Sequence, residues 1–297
     1  MVSKMVFFRR FNNIKSSILA NMVRKYASNA AHKDLIVEKL EGVDSGITVF
    51  GLNRPKQKNA FSMNLVNELS SKLFEASMDC NLRVLIIRSL VPGAFCAGAD
   101  LKERLSMSPQ QVKTFVNQLR SVINTVHNLQ VPVIAALDGV ALGGGLELAL
   151  ACDLRIASSS AKLGLVETKL AIIPGAGGTQ RLTRLINPSI AKELIYTGRV
   201  FDGDEAVKMG VVNHSLKQND GDDVAYQKSL DIAREIVPNG PVGVRMAKAA
   251  INKGLEVDLN TGLSFEEACY AQVIPTKDRT EALNAFHEKR PPKYIGE

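Results

Sequence analysis

Asp138-Gly139-Val140-Ala141-Leu142-Gly143-Gly144-Gly145-Leu146-Glu147 decides the fold, because it follows without a break on the apolar run 131–137. A short continuous apolar run reads as a strand buried on both faces, and the residues from about Gly145 onward read as a helix. Three consecutive glycines cost backbone entropy, so the chain there needs positive φ or the close approach of another group. A helix that begins at such a turn aims its first free N–H groups at whatever lies before it. Two readings fit these glycines: a ligand held against the main chain, or a tight strand-to-helix turn with no ligand. A dinucleotide-binding fingerprint does not fit. Counted from Gly143, it needs glycine at 148, where Leu148 stands, and the segment lies far from the first βα unit.

Outward from this segment the pattern repeats. Val84-Leu85-Ile86-Ile87 is another buried strand, and after the turn Val91-Pro92-Gly93 it leads to Phe95-Cys96-Ala97-Gly98-Ala99-Asp100, again small residues that let a ligand reach the main chain. Leu154-Arg155-Ile156-Ala157 is a third strand, followed by Gly164-Leu165-Val166-Glu167 and then Ile173-Pro174-Gly175-Ala176-Gly177-Gly178. Residues 35–40 and 47–52 read as paired strands around the turn 42–46. Leu65, Val66, Leu69 and Leu73 mark the buried face of a helix, and Ser108-Pro109-Gln110-Gln111 opens another with a capping box, running to about Leu129. Asp202-Gly203-Asp204-Glu205 starts a short helix that ends at Gly210. Strands alternating with helices predict an α/β core. From about Asp222 helical patterns succeed one another, broken at 238–241 and near Pro275, which predicts a helical C-terminal module.

Taken in order, FCAGAD (95–100), ALGGGLELALACD (141–153) and LGLVETKLAIIPGAGGTQRL (163–182) resemble the enoyl-CoA hydratase/isomerase (crotonase) family, and the resemblance runs from about residue 34 to the C-terminus. It implies a crotonase-type spiral of repeated ββα units with a helical C-terminal trimerisation module. The expected boundaries are 34–221 for the acyl-CoA-binding core and 222–297 for the module. By motif position it implies that the backbone N–H groups of Ala99 and Gly144 bind a thioester oxygen. Each such donor to a developing oxyanion is worth about 3 kcal/mol in a dry site. It also implies that Glu147 activates water and that Glu167 delivers a proton to the α-carbon, two carboxylates dividing the work of one addition. Read without the resemblance, Glu147 is an acid complementing a helix dipole, and Glu167 a solvated charge beside Lys169.

The pair of acids suits a hydratase better than a double-bond isomerase, whose branches often keep one. Ala97, Asp100, Leu101 and Gly143 are expected around the substrate. Lys102 and Lys289 are candidates for the phosphates of coenzyme A, with plain solvent exposure as the alternative. No separate cofactor is expected, since coenzyme A is part of the substrate. The run EEACYAQVIPTKDRTEALNAFHEKRPPKYIGE (266–297) is most similar to the branch that acts on 3-methylglutaconyl-CoA. Such a substrate carries a distal carboxylate, and Arg104 and Lys169 are the cations considered for it. A short-chain enoyl-CoA hydratase remains the nearest alternative. The resemblance further implies a homo-oligomer, a hexamer built as a dimer of trimers.

Composition bounds the rest. The net charge of +7 lies in the leader: residues 1–33 hold seven of the 37 Lys and Arg and no acid, leaving 30 bases against 30 acids in 34–297. A basic, serine-containing, acid-free amphipathic leader reads as a mitochondrial transit peptide with cleavage near Tyr26 and a matrix destination, or as a disordered basic tail. Phosphate-driven RNA binding needs several cations together, and the stretch 62–72 holds a single lysine, Lys72, so an RNA partner is not expected. The most apolar stretch, 134–152, contains Asp138 and Glu147, which argues against a membrane span. Four scattered cysteines without a CxxC pair read as buried free thiols, and the histidines show no paired-ligand spacing, so no metal is expected.

Overall fold

The structure is a computed structural model that describes residues 33–297. The leader and its expected cleavage site lie outside the described residues. The main sheet runs β1 (Leu35–Lys39), β2 (Ile47–Leu52), β3 (Val84–Ser89), β5 (Val133–Leu137), β7 (Leu154–Ser158), β10 (His214–Leu216). β1 pairs antiparallel to β2, and the remaining neighbours are parallel. The apolar runs behave as strands covered on both faces. Along β3, Leu85 and Ile87 enter one core, while Val84 and Ile86 enter the other, the period-two alternation of a pleated strand.

A smaller sheet runs β4 (Ala94–Cys96), β6 (Val140–Leu142), β8 (Lys162–Gly164), β9 (Phe201–Asp202). Its first three strands are parallel to one another and each follows a strand of the main sheet. Strand, turn and short second strand therefore recur three times, with helices between, and this is the ββα spiral expected from the motifs. The turns stack closely. A Cβ on Gly139 would lie 2.2 Å from the Gly93 carbonyl carbon, so glycine there is a packing requirement. Asp138 in the same turn accepts from the N–H groups of Ala225 (2.7 Å) and Tyr226 (3.1 Å).

Helices α1 (Met63–Ser77), α2 (Leu101–Leu105), α3 (Pro109–His127) and α4 (Gly144–Ala151) come first, then α5 (Gly178–Leu185), α6 (Pro188–Thr197) and α7 (Gly203–Met209). α1 buries Leu65, Val66, Leu69 and Leu73, the predicted face. Both capping boxes form, Ser108 with Gln111 and Asp202 with Glu205. α8 (Val224–Ile236) covers the second face of the main sheet with Ala225, Tyr226, Leu230 and Ala233. The expected boundary at 221/222 thus falls just before a helix whose buried side belongs to the core.

Beyond it lie α9 (Pro241–Gly254), α10 (Leu259–Val273) and α11 (Lys277–Glu288). α9 and α10 approach closely at Gly254 and Gly262, and α10 buries no residue at all. Among the described residues no helix is long and apolar enough to cross a membrane. The four cysteines are free, but burial holds for two of them. Cys96 and Cys152 are buried, with thiols pushed up to about 12 by desolvation, whereas Cys80 is exposed in the polar turn after α1 and Cys269 is half-covered on α10.

Candidate active site

The spiral sets the ends of β4 and β6 side by side, so the turns 97–99 and 143–144 meet. Gly98 (φ 95°) and Gly143 (φ 52°) both occupy backbone space that L side chains avoid. A Cβ on Gly98 would stand 3.0 Å from Leu142 O and 3.6 Å from Gly144 N. The hydrogen bonds of the first turn pass on either side of Ala99: Phe61 N–H donates to Gly98 O (2.7 Å) and Asp100 N–H to Phe61 O (3.0 Å). That leaves the Ala99 N–H outside the ladder. Gly144 opens α4, and its N–H is among those a helix cannot satisfy internally. Two main-chain donors therefore border one chamber.

That chamber has a volume of about 1840 Å³ and is lined by Ala97, Ala99, Leu101, Gly143, Gly144, Glu147 and Glu167 together with the apolar side of α3. It is larger than the roughly 300–1,000 Å³ of an ordinary small-ligand pocket, as an elongated ligand requires. Leu101 reaches it from α2.

Glu147 sits in the first turn of α4 and is 3% exposed. Its Oε1 accepts from the N–H groups of Ala176 and Gly178, each at 2.8 Å. Burial raises its pKa, while these two donors and the guanidinium groups of Arg181 and Arg120 oppose the rise. Dipole complementation alone does not describe it: the carboxylate reaches out of its own helix and is held by another loop.

Glu167 opens the 3-10 turn Glu167–Leu170 after β8 and is 9% exposed. Its Oε2 is buried and without a partner, and its Oε1 lies against Gly143, where a Cβ would approach to 3.2 Å. Burial and then the charge of Glu147 push its pKa up to about 7, against weaker opposition from a backbone hydrogen bond and Arg104. It is not a solvated partner of Lys169, which is exposed and lays its stem on Gly198. At neutral pH the arrangement can present an acceptor carboxylate at 147 and a proton-bearing carboxyl at 167 around one reacting centre.

Other expected residues are placed elsewhere. Asp100 caps α2 by accepting from the N–H groups of Lys102 (3.1 Å) and Glu103 (3.3 Å), and it pairs with Arg54 (3.2 Å), which also pairs with Asp34 (3.2 Å). Its carboxylate supports the 97–99 turn and does not line the chamber. Lys102 is exposed on α2 and Lys289 is exposed at the end of α11; neither belongs to the chamber lining. The Ala176 and Gly178 donors were not among the expected residues. Among the described residues no cluster of three or more His, Cys, Asp or Glu could hold a metal. Lys72, the one lysine of α1, is paired with Glu75 on the same helix (2.7 Å).

The enoyl-CoA hydratase/isomerase family model matches residues 42–297. The chain is similar to the mitochondrial methylglutaconyl-CoA hydratase of Homo sapiens, at 60% identity over 275 residues, 92% of this chain and 81% of that protein. It is also similar to the mitochondrial enoyl-CoA hydratase domain-containing protein 2 of Homo sapiens, at 51% identity, covering 90% of this chain and 91% of the relative. Among solved structures, the enoyl-CoA hydratase from Bacillus anthracis superposes with a TM-score of 0.85 at 48% identity, covering 89% of this chain and all of that one.

Proposed function

The chain belongs to the enoyl-CoA hydratase/isomerase family, and from that premise we propose that it adds water across the α,β-double bond of an acyl-CoA thioester, with 3-methylglutaconyl-CoA as the preferred substrate. The observation that carries the chemistry is the contrast within one chamber between Glu147, held by two backbone donors, and Glu167, buried with an unpartnered oxygen.

In the proposed addition the thioester oxygen accepts from the Ala99 and Gly144 N–H groups, which stabilise the enolate as it forms. Water attacks the β-carbon while Glu147 takes up its proton. The carboxyl of Glu167 gives its proton to the α-carbon, forming the C–H bond as the enolate collapses. The product is the β-hydroxyacyl thioester, and proton exchange with solvent restores both acids. Nothing beyond the substrate's own coenzyme A is called for. Ala97, Leu101 and Gly143 shape the wall along which the thioester lies, and Lys102, exposed beside Leu101 on α2, meets a coenzyme A phosphate.

The preference for methylglutaconyl rests on the 60% identity to a relative of that name. Steady-state rates with 3-methylglutaconyl-CoA and crotonyl-CoA test it. A higher kcat/KM for the carboxylated substrate is expected, with hydration rather than a shifted double bond in the product. A preference for crotonyl-CoA would remove the substrate assignment while leaving the hydratase chemistry.

The same reading places the enzyme in the mitochondrial matrix and makes it a hexamer, a dimer of trimers joined through the C-terminal helices. Leu259 (76% exposed) and Phe286 (86% exposed) support this, because large apolar groups concentrated on one module mark association surfaces. Light scattering should give a mass near six chains; a mass near one chain would refute the assembly.

A further inference from the structure

Several guanidinium groups line the chamber, and all but one are engaged by the protein. Arg120 donates to Gly175 O (2.8 Å), Arg181 to Asn124 Oδ1 (2.7 Å) and Ala176 O (3.2 Å), and Arg184 to Gln180 Oε1 (3.0 Å). Arg155 is spent on three backbone carbonyls. Arg104 differs. Its Nε is buried without a partner, and among the described residues its side chain makes neither a hydrogen bond nor an ion pair. The group stands 5.8 Å from the centre of the Phe115 ring, with Leu101 and Val112 also in the chamber wall.

An arginine cannot shed its charge, and a buried donor left unpaired carries the full cost of its desolvation. Such a group fits a site whose anion arrives with the ligand. Two anions come with an acyl-CoA: the phosphates of the carrier and a carboxylate on the acyl chain. Arg104 lies on the acyl side: its helix follows directly on the turn that carries the Ala99 donor, it shares the chamber wall with Ala99, Leu101 and Phe115, and its charge acts on Glu167, the carboxyl assigned above to the α-carbon. Lys169, the other cation considered, lies outside the chamber lining with its stem 3.0 Å from where a Gly198 Cβ would stand.

We infer that Arg104 is the specificity-determining residue for a distal carboxylate: its guanidinium pairs with the acyl carboxylate two bonds beyond the carbon that takes up water. This rests on the substrate reading above. It makes the site selective against simple enoyl chains, which leave the buried Nε of this arginine unpaired.

The test is the ratio of kcat/KM for 3-methylglutaconyl-CoA to that for crotonyl-CoA in wild type, Arg104→Met and Arg104→Lys. Arg104→Met should lower the value for the carboxylated substrate by about thirtyfold or more, mainly through KM, as for a buried charge pair losing one member. Crotonyl-CoA should change by no more than about threefold, and Arg104→Lys should recover part of the ratio, because it restores charge without the planar fork. Any change in Glu167 caused by losing the nearby charge affects both substrates and cancels in the ratio. Should the methionine variant not fold, Arg104→Gln reads the same ratio. If wild type prefers the carboxylated substrate and the neutral variants keep that preference, the role of Arg104 is refuted and the substrate reading stands. If wild type itself prefers crotonyl-CoA, both fall.

Discussion

The loop 174–178 gives the Glu147 carboxylate two backbone donors, whereas the turn that carries Glu167 leaves one of its oxygens buried with none. The two acids share a residue type and a chamber, so what separates them is supplied by the neighbouring main chain. One carboxylate is stabilised as an anion by amides that no side-chain substitution supplies. The other, buried as well, lacks such donors on one oxygen and sits beside a like charge, which favours keeping its proton. The difference teaches that division of acid and base roles here is a property of loops, with the glutamates as its recipients.

The sharpest way to break the comparison is to remove each charge in turn. Glu147→Gln and Glu167→Gln should each lower the hydration rate by at least about a hundredfold, the lower range for losing acid–base catalysis, with smaller changes in substrate affinity. The double variant should lose far less than the product of the two, as for groups acting as a unit. A near wild-type rate in either single variant, measured on both crotonyl-CoA and 3-methylglutaconyl-CoA, overturns the assigned mechanism.

A milder perturbation touches the loop alone. A Cβ at Gly178 would stand 3.0 Å from Leu165 Cδ1 and Pro174 Cβ and 3.1 Å from Glu147 Cγ, so Gly178→Ala crowds the loop and the acid against each other. A loss of about tenfold in kcat is expected, since small misplacements of a catalytic group are costly. Rates equal to wild type would mean that the loop amides do not set the position of Glu147.

The smallest effect separates the acids by stability. Glu167 has its pKa pushed up to about 7 in the folded chain, above the ordinary carboxylate value. Between the ordinary value and about 7 the unfolded chain releases this proton first, so folding stability falls as pH rises through that window. Below it both states hold the proton and the cost disappears. Glu167→Gln should therefore be more stable than wild type at pH 8, by about 1–2 kcal/mol or a few degrees in Tm, and indistinguishable near pH 4.5. A pH-independent difference in thermal melting would contradict this.

Much of this contrast was legible in the sequence, though unevenly. Residues 84–87 and 133–137 announce buried strands by composition, and Ser108 and Asp202 announce their helices through side chains that cap them. Glu147 and Glu167 were legible as a pair through the motifs around them. The smaller sheet was not, because strands of two or three residues such as 94–96 and 162–164 show no period. Nor were the Ala176 and Gly178 donors, since a backbone N–H has no residue-type signature. The choice between Arg104 and Lys169 depended on where each side chain points, which spacing alone does not settle. α8 read as the start of a separate helical module, because covering a sheet and joining other helices demand the same amphipathic stripe.

The Arg54 bridge carries one more consequence. Its guanidinium joins Asp34, next to the start of β1, to Asp100, the cap of the helix that bears Arg104. The residue that leads into β1 is thus linked to the chamber wall through a single side chain. This sets a limit on truncation. Shortening the chain up to residue 33 leaves the bridge whole, while removing Asp34 as well strips a half-buried arginine of one counter-charge and loosens the support of the 97–99 turn. How far this chain can be shortened from its front end is fixed by its active site.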